Sequence, residues 1–256
     1  MGDIRMKKFL LSKDIKISFA LALFGLLGGL ATVMWQLSDP SLSQSVPNNI
    51  SKEVLIVASA IQVVFITFIL SIIGIKLSKK VGFRLHSKFV KKDALLMIIV
   101  SGLTSFFMIA MEKNVFDRYL GEYANTQYHF NFMELVASVF YGGVVEEVML
   151  RLFALSLLVF ILHKVFARKN SASEIPNWIY VTGIFIAAMV FAAGHLPATK
   201  VIFGLSTPIV IRCFLLNGVG GLVFGYFYWK KGFTMAIASH MTVHLSRIFI
   251  FMPLFF

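Results

Sequence analysis

An all-α polytopic membrane protein is the fold class this sequence predicts, and three observations carry the prediction. The 256-residue chain is 58% hydrophobic and 14% charged, against about a quarter charged in an ordinary soluble domain. Its apolar residues fall into separate runs of about 20, the length that crosses a bilayer as a helix. Its basic residues cluster between those runs, as topology determinants do. A membrane β-barrel would need alternating segments of about 10 residues, and none is seen. The net charge of +12 therefore reads as a positive-inside signature facing the lipid bilayer, with no nucleic-acid partner implied. The lone cysteine, Cys213, sits in an apolar run, so the chain has no disulfide framework and no redox motif.

The elements follow in order. Arg5, Lys7, Lys8, Lys13 and Lys16 precede the first run, residues 17–37. That run is too long for a secretory signal and reads as a retained anchor. Gly2 is followed by Met6 rather than Ser or Thr, so myristoylation is not indicated. Gly25-x-x-x-Gly29 gives the first helix a flat face for close packing. A polar linker with Pro40 and Pro47 leads to the second run, 54–75, and then to a basic loop holding Lys76, Lys79, Lys80, Arg84, Lys88, Lys91 and Lys92. The linker reads as outside and the loop as inside.

The third run is 94–111, and a mixed-charge segment follows it to residue 131. Residues 132–141 are too short to cross alone, and Gly142-Gly143 comes next. This predicts a half-helix that breaks at the glycines before a new helix starts near Val144. That helix runs to about residue 166 and ends among Lys164, Arg168 and Lys169. The remaining crossings are 179–195, closed by His195-Leu-Pro197, then about 203–229 with Gly221-x-x-x-Gly225, and 234–255. Arg212 is expected to snorkel to the interface. The tally is seven to eight membrane helices, counting the half-helix before the Glu-Glu-x-x-x-Arg motif. They form one domain, with residues 1–131 as peripheral helices, 132–256 as the core and the amino terminus cytoplasmic.

Polar residues interrupt the apolar pattern of the second half at four places. Glu146 and Glu147 stand beside Arg151, Phe191 leads to His195, His240 is spaced four residues from His244, and Arg247 follows. Ionisable groups at membrane depth are costly and mark functional sites unless they are paired. Glu147 and Arg151, at i and i+4, share a helix face and can pair. Glu146 has no basic residue at those spacings, which leaves its carboxylate free to take a proton from water as a general base does. His240, His244 and Arg247 line one stripe of the last helix. Two histidines at i and i+4 are also spaced to bind one metal, although the Glu of a His-Glu-x-x-His motif is missing. No Gly-x-Ser-Gly or Gly-x-Gly-Asp protease signature is present.

Taken in this order, Glu146-Glu147-x-x-x-Arg151, Phe191-x-x-x-His195 and His240-x-x-x-His244 resemble the CPBP (Abi) family of intramembrane proteases. That family includes the type II CAAX prenyl endopeptidases and bacteriocin-processing or immunity proteins. The resemblance covers about residues 132–255, and Gly221-Leu-Val-Phe-Gly225-Tyr226 is similar to the family's approach to its last motif. It implies an endopeptidase of small membrane-associated or lipidated peptides in the plasma membrane. Glu146 would activate water with help from His195, while His240 and position 244 bind metal or stabilise the oxyanion. Glu147 and Arg151 would be orienting partners, and Arg247 would hold substrate backbone or carboxylate.

His244 stands where the family usually has Asn or Asp, and three readings of it stay open. His195, His240 and His244 would make a three-histidine Zn site with room for water. An imidazole N–H would replace the amide as oxyanion donor in a metal-free glutamate mechanism. Loss of activity would leave a non-catalytic scaffold or immunity protein. Helix depth raises one conflict. At ~1.5 Å per residue, Glu146 lies ~27 Å from Lys164, His195 ~24 Å from Ile179 and His244 ~20 Å from Lys231, but His240 only ~14 Å. The sequence leaves the oligomeric state open.

Overall fold

The computed structural model describes residues 12–43, 50–88, 90–121 and 128–256. Gly2, Arg5, Met6, Lys7, Lys8 and Pro47 lie outside them. The regular elements of the described chain are all helices, with no strand among the described residues. Among the described residues, six helical stretches are long and apolar enough to cross a membrane, namely Lys13–Ser38, Lys52–Lys80, Lys91–Tyr119, Asn177–Phe203, Thr207–Lys231 and Phe233–Phe255. A seventh long helix, residues 132–166, carries the Glu-Glu-x-x-x-Arg motif. The protein is an integral membrane protein of the all-α polytopic class.

The amino-terminal helices are α1 (Lys13–Ser38), α2 (Lys52–Lys80) and α3 (Lys91–Met111). Ser12 and Ser51 cap the first two by accepting from the backbone N–H of Ile15 and Val54. α1 packs along α2 through its small residues. Methyl groups added at Gly25 and Gly29 would lie 2.9 Å from Thr67 Oγ1 and 3.0 Å from Val63 Cβ. Gly28 serves a different neighbour, because a methyl there would lie 2.6 Å from the backbone nitrogen of Tyr141. One face of α1 therefore fits α2 and the next fits the motif helix. Phe19, Leu23 and Leu27 on α1, and Val57, Ile61 and Phe65 on α2, stay exposed as lipid-facing stripes.

The motif helix begins as α4 (Phe132–Ala137), where Asn131 accepts from the N–H groups of Met133 and Glu134. It continues through π-helical stretches at Ser138–Glu146 and Val148–Leu155 and ends as α5 (Ser156–Phe166). The expected half-helix is not found, since Gly142 and Gly143 stay inside unbroken helix with no positive φ. They act in packing. A methyl at Gly142 would lie 2.7 Å from His244 Nε2, and one at Gly143 would lie 2.5 Å from Met241 Cγ. Absence of a side chain, which in sequence looks like a helix breaker, here admits the last helix.

α6 (Asn177–Gly194) ends at His195, and a short helix α7 (Leu196–Phe203) starts directly on Pro197. The proline opens a helix as well as closing one. The sixth crossing, α8 (Thr207–Lys231), consequently starts later than expected. Its Gly221 and Gly225 fit against Ala188 and Ile184 of α6. Arg212 does not snorkel alone. Its guanidinium forks onto both Glu112 oxygens at about 15% side-chain exposure.

Gly232, at φ 93°, turns the chain from α8 into α9 (Phe233–Ser246). The basic loop after α2 is strapped over this turn. Phe233 N–H donates to Arg84 O at 2.9 Å, Thr234 N–H to Leu85 O at 3.0 Å, and Ser87 Oγ to Lys231 O. Val81, Phe83, Tyr228 and Phe233 are buried beneath it, with the Tyr180 hydroxyl bonded to Val81 O at 2.8 Å. The core then runs up the motif helix through Val159, Leu155, Leu152, Val148 and Val144.

Candidate active site

An α-helix repeats its faces every 3.6 residues, which turns Glu146 and Glu147 about 100° apart. The motif helix is wider here, because π-helical bonds run from i to i+5 and such turns concentrate at functional sites. Residues four and five apart thus come onto one face, which joins Gly142 to Glu146 and Glu147 and then to Arg151. The contacts with α9 bear this out, since both carboxylates reach the same imidazole. His240 Nδ1 is 2.8 Å from Glu147 Oε1, and His240 Nε2 is 3.9 Å from Glu146 Oε2.

Glu147 and Arg151 are sealed at 0% and 1% exposure. Arg151 Nη1 lies 2.9 Å from Glu147 Oε1 as a charge contact without an aligned N–H, and Nη2 donates to Gly221 O at 3.2 Å. The guanidinium is stacked over Phe191 at 4.7 Å and Phe224 at 5.1 Å. This arrangement suits a buried arginine, whose planar charge rests on aromatic faces while its fork holds oxygen atoms. Phe191 is marked in sequence by its spacing to His195, and Phe224 by being the aromatic residue inside Gly221-x-x-x-Gly225 on α8.

The same Phe224 ring stacks on His240 with centroids 4.1 Å apart and planes at 17°, and His244 stacks on the other side at 4.9 Å and 19°. An ionised Glu147 carboxylate only accepts, which places the hydrogen of a neutral His240 on Nδ1. His240 Nε2 then accepts from His244 Nε2–H at 3.1 Å. His244 Nδ1 has no partner among the described residues. His195 Nδ1 donates to Phe191 O at 2.8 Å, which leaves its Nε2 lone pair free, and its ring edge meets Phe191 at 4.7 Å.

Burial separates the two carboxylates. Glu146 keeps 20% of its side chain exposed, whereas Glu147 has none and His240 only 4%. His240 nevertheless meets Glu147, so the unequal depths reckoned along the two helices do not keep these side chains apart. Arg247 is not turned into this cluster. It bonds Glu134 in the first turn of the motif helix, with 24% and 11% side-chain exposure. Glu134 went unremarked in sequence because its partner lies 113 positions away.

Among the described residues, no three His, Cys, Asp or Glu side chains form a metal-holding group. His240 and His244 present Nε2 atoms 3.1 Å apart, a spacing that one ion could share, but His195 does not complete a three-residue set with them. As placed, these residues do not fit a three-histidine Zn site.

Residues 128–246 match the family model described as Type II CAAX prenyl endopeptidase Rce1-like. This match supports the resemblance of the segment to the CPBP family of intramembrane proteases. The matched segment holds all of Glu146, Glu147, Arg151, Phe191, His195, His240 and His244, and stops one residue before Arg247. No curated protein and no solved structure shows a significant match.

Proposed function

We propose that this CPBP-like protein is an intramembrane endopeptidase that hydrolyses small membrane-associated or lipidated peptides through water activated by Glu146. The observation that carries the reading is the approach of both Glu146 and Glu147 to His240, with only Glu146 left accessible. Glu146 takes a proton from water while the His195 Nε2 lone pair accepts the water's other hydrogen. The oxygen attacks the scissile carbonyl carbon. His244 Nε2–H turns from His240 to the carbonyl oxygen as its negative charge grows, the role of an oxyanion donor. The C–N bond then breaks, and the proton held by Glu146 passes to the leaving amine. Glu147 and Arg151 fix the orientation of His240, which in turn positions His244.

The test is cleavage of quenched fluorogenic peptides, prenylated and unprenylated, by the purified protein in liposomes. Wild type is expected to cleave and Glu146→Gln, at equal abundance, to be silent. Equal cleavage by both would sink the assignment. Loss of neither fold nor biological effect in Glu146→Gln would favour a scaffold or immunity protein.

A further inference from the structure

Behind the motif helix, on the stripe next to Glu146, lies a cleft of about 310 Å³ between α1, α2 and the motif helix. Its walls carry Gln36, Ser59, Gln62 and Tyr141, with Val145 and Met149 at the motif helix. Gln62 is exposed and Gln36 half-buried, and neither makes a hydrogen bond with any described residue. Gln62 lies ten residues into α2, where a carboxamide facing hydrocarbon is costly, and Gln36 lies two residues before the end of α1. Two such groups on different helices, aimed at one void, call for a hydrogen-bonding occupant.

We propose that this cleft holds the main chain of an extended segment of the substrate peptide. The proposal rests on the endopeptidase reading, and its chemistry follows from that reaction. A peptide bond cannot be attacked by water while it is wrapped inside a helix, so the substrate must be locally unwound. Unwinding inside a bilayer exposes N–H and C=O groups with no water to receive them. A carboxamide offers a donor and an acceptor together and so matches both groups of a peptide unit. The cleft borders the turn of the motif helix that carries the accessible carboxylate, since its wall holds Val145, the residue before Glu146, while Glu146 itself approaches His240. Tyr141, five residues before Glu146, stands at the boundary between cleft and site.

Two measurements test this. In liposomes, Gln36→Leu/Gln62→Leu should raise KM for a fluorogenic peptide about tenfold and leave kcat unchanged, the loss of one to two hydrogen bonds. Leucine is at home in lipid, so the variant keeps its fold. An unchanged KM overturns the proposal. The second measurement needs no turnover. A photoreactive benzoylphenylalanine at position 62, in the Glu146→Gln background, should cross-link the same peptide. At position 61, which faces lipid with 64% exposure of Ile61, it should not. Equal labelling at both positions, or none at 62, overturns the proposal. If the wild-type protein cleaves no peptide, the endopeptidase reading fails while the cross-link still decides the cleft.

Discussion

His240 donates from Nδ1 to Glu147 at 2.8 Å and presents Nε2 to His244 at 3.1 Å. A single imidazole thus links the buried Glu147–Arg151 pair to the residue we assign as oxyanion donor.

That link predicts opposite behaviour for the two neighbouring glutamates. Glu147→Gln leaves Arg151 charged and buried without its counter-ion, a change that costs about 3–5 kcal/mol. Its thermal unfolding in detergent should shift strongly downward. Glu146→Gln should unfold close to wild type but lose about 10²–10⁴-fold in kcat, the usual contribution of a general base. The reverse pattern would exchange the two roles.

Position 244 tests the oxyanion assignment. His244→Ala should lower kcat about 10²–10³-fold, as loss of one oxyanion donor does. His244→Asn restores a side-chain N–H donor of the kind usual in the family and should recover to within about tenfold of wild type. If Asn and Ala variants are equally slow, His244 is not a donor.

Gly142→Ala should cut kcat at least about tenfold while the protein still folds, because the added methyl displaces His244 Nε2 from 2.7 Å. Gly143→Ala meets Met241 Cγ at 2.5 Å rather than a site imidazole, and should retain more activity than Gly142→Ala. Parallel kcat measurements on the two variants check this.

Chelation separates the mechanisms. Cleavage is expected to persist after treatment with 1,10-phenanthroline and dialysis, because the imidazoles are placed as a hydrogen-bonded pair and not as a three-ligand group. Activity lost on chelation and restored by added Zn²⁺ would overturn the glutamate-only mechanism.

Much of this was legible in the chain. Apolar run length gave the crossings, and the i,i+4 spacing of Glu147 and Arg151 gave their contact. The order of the polar motifs pointed to the family. What stayed hidden depended on helix width and on distant partners. Gly142-Gly143 looks like a break in one dimension, and only the position of α9 shows that the missing side chains make room for His244 and Met241. A 100° step separates Glu146 from Glu147 on paper, and the i to i+5 turns narrow it enough for His240 to lie near both. Arg247 looked available for substrate because Glu134 lies far away in sequence. Helix-end distances set His240 and Glu147 at different depths, yet the two side chains meet at 2.8 Å.

The widened turns also imply a particular mode of failure. Gly142, Glu146, Glu147 and Arg151 are aligned only while residues 138–155 hold their i to i+5 bonds. Tightening to ordinary α pitch would keep every residue helical and yet rotate Glu146 away from His240. Inactivation by warming or by harsh detergent should therefore come before any loss of helical circular dichroism, as a change of winding rather than an unfolding.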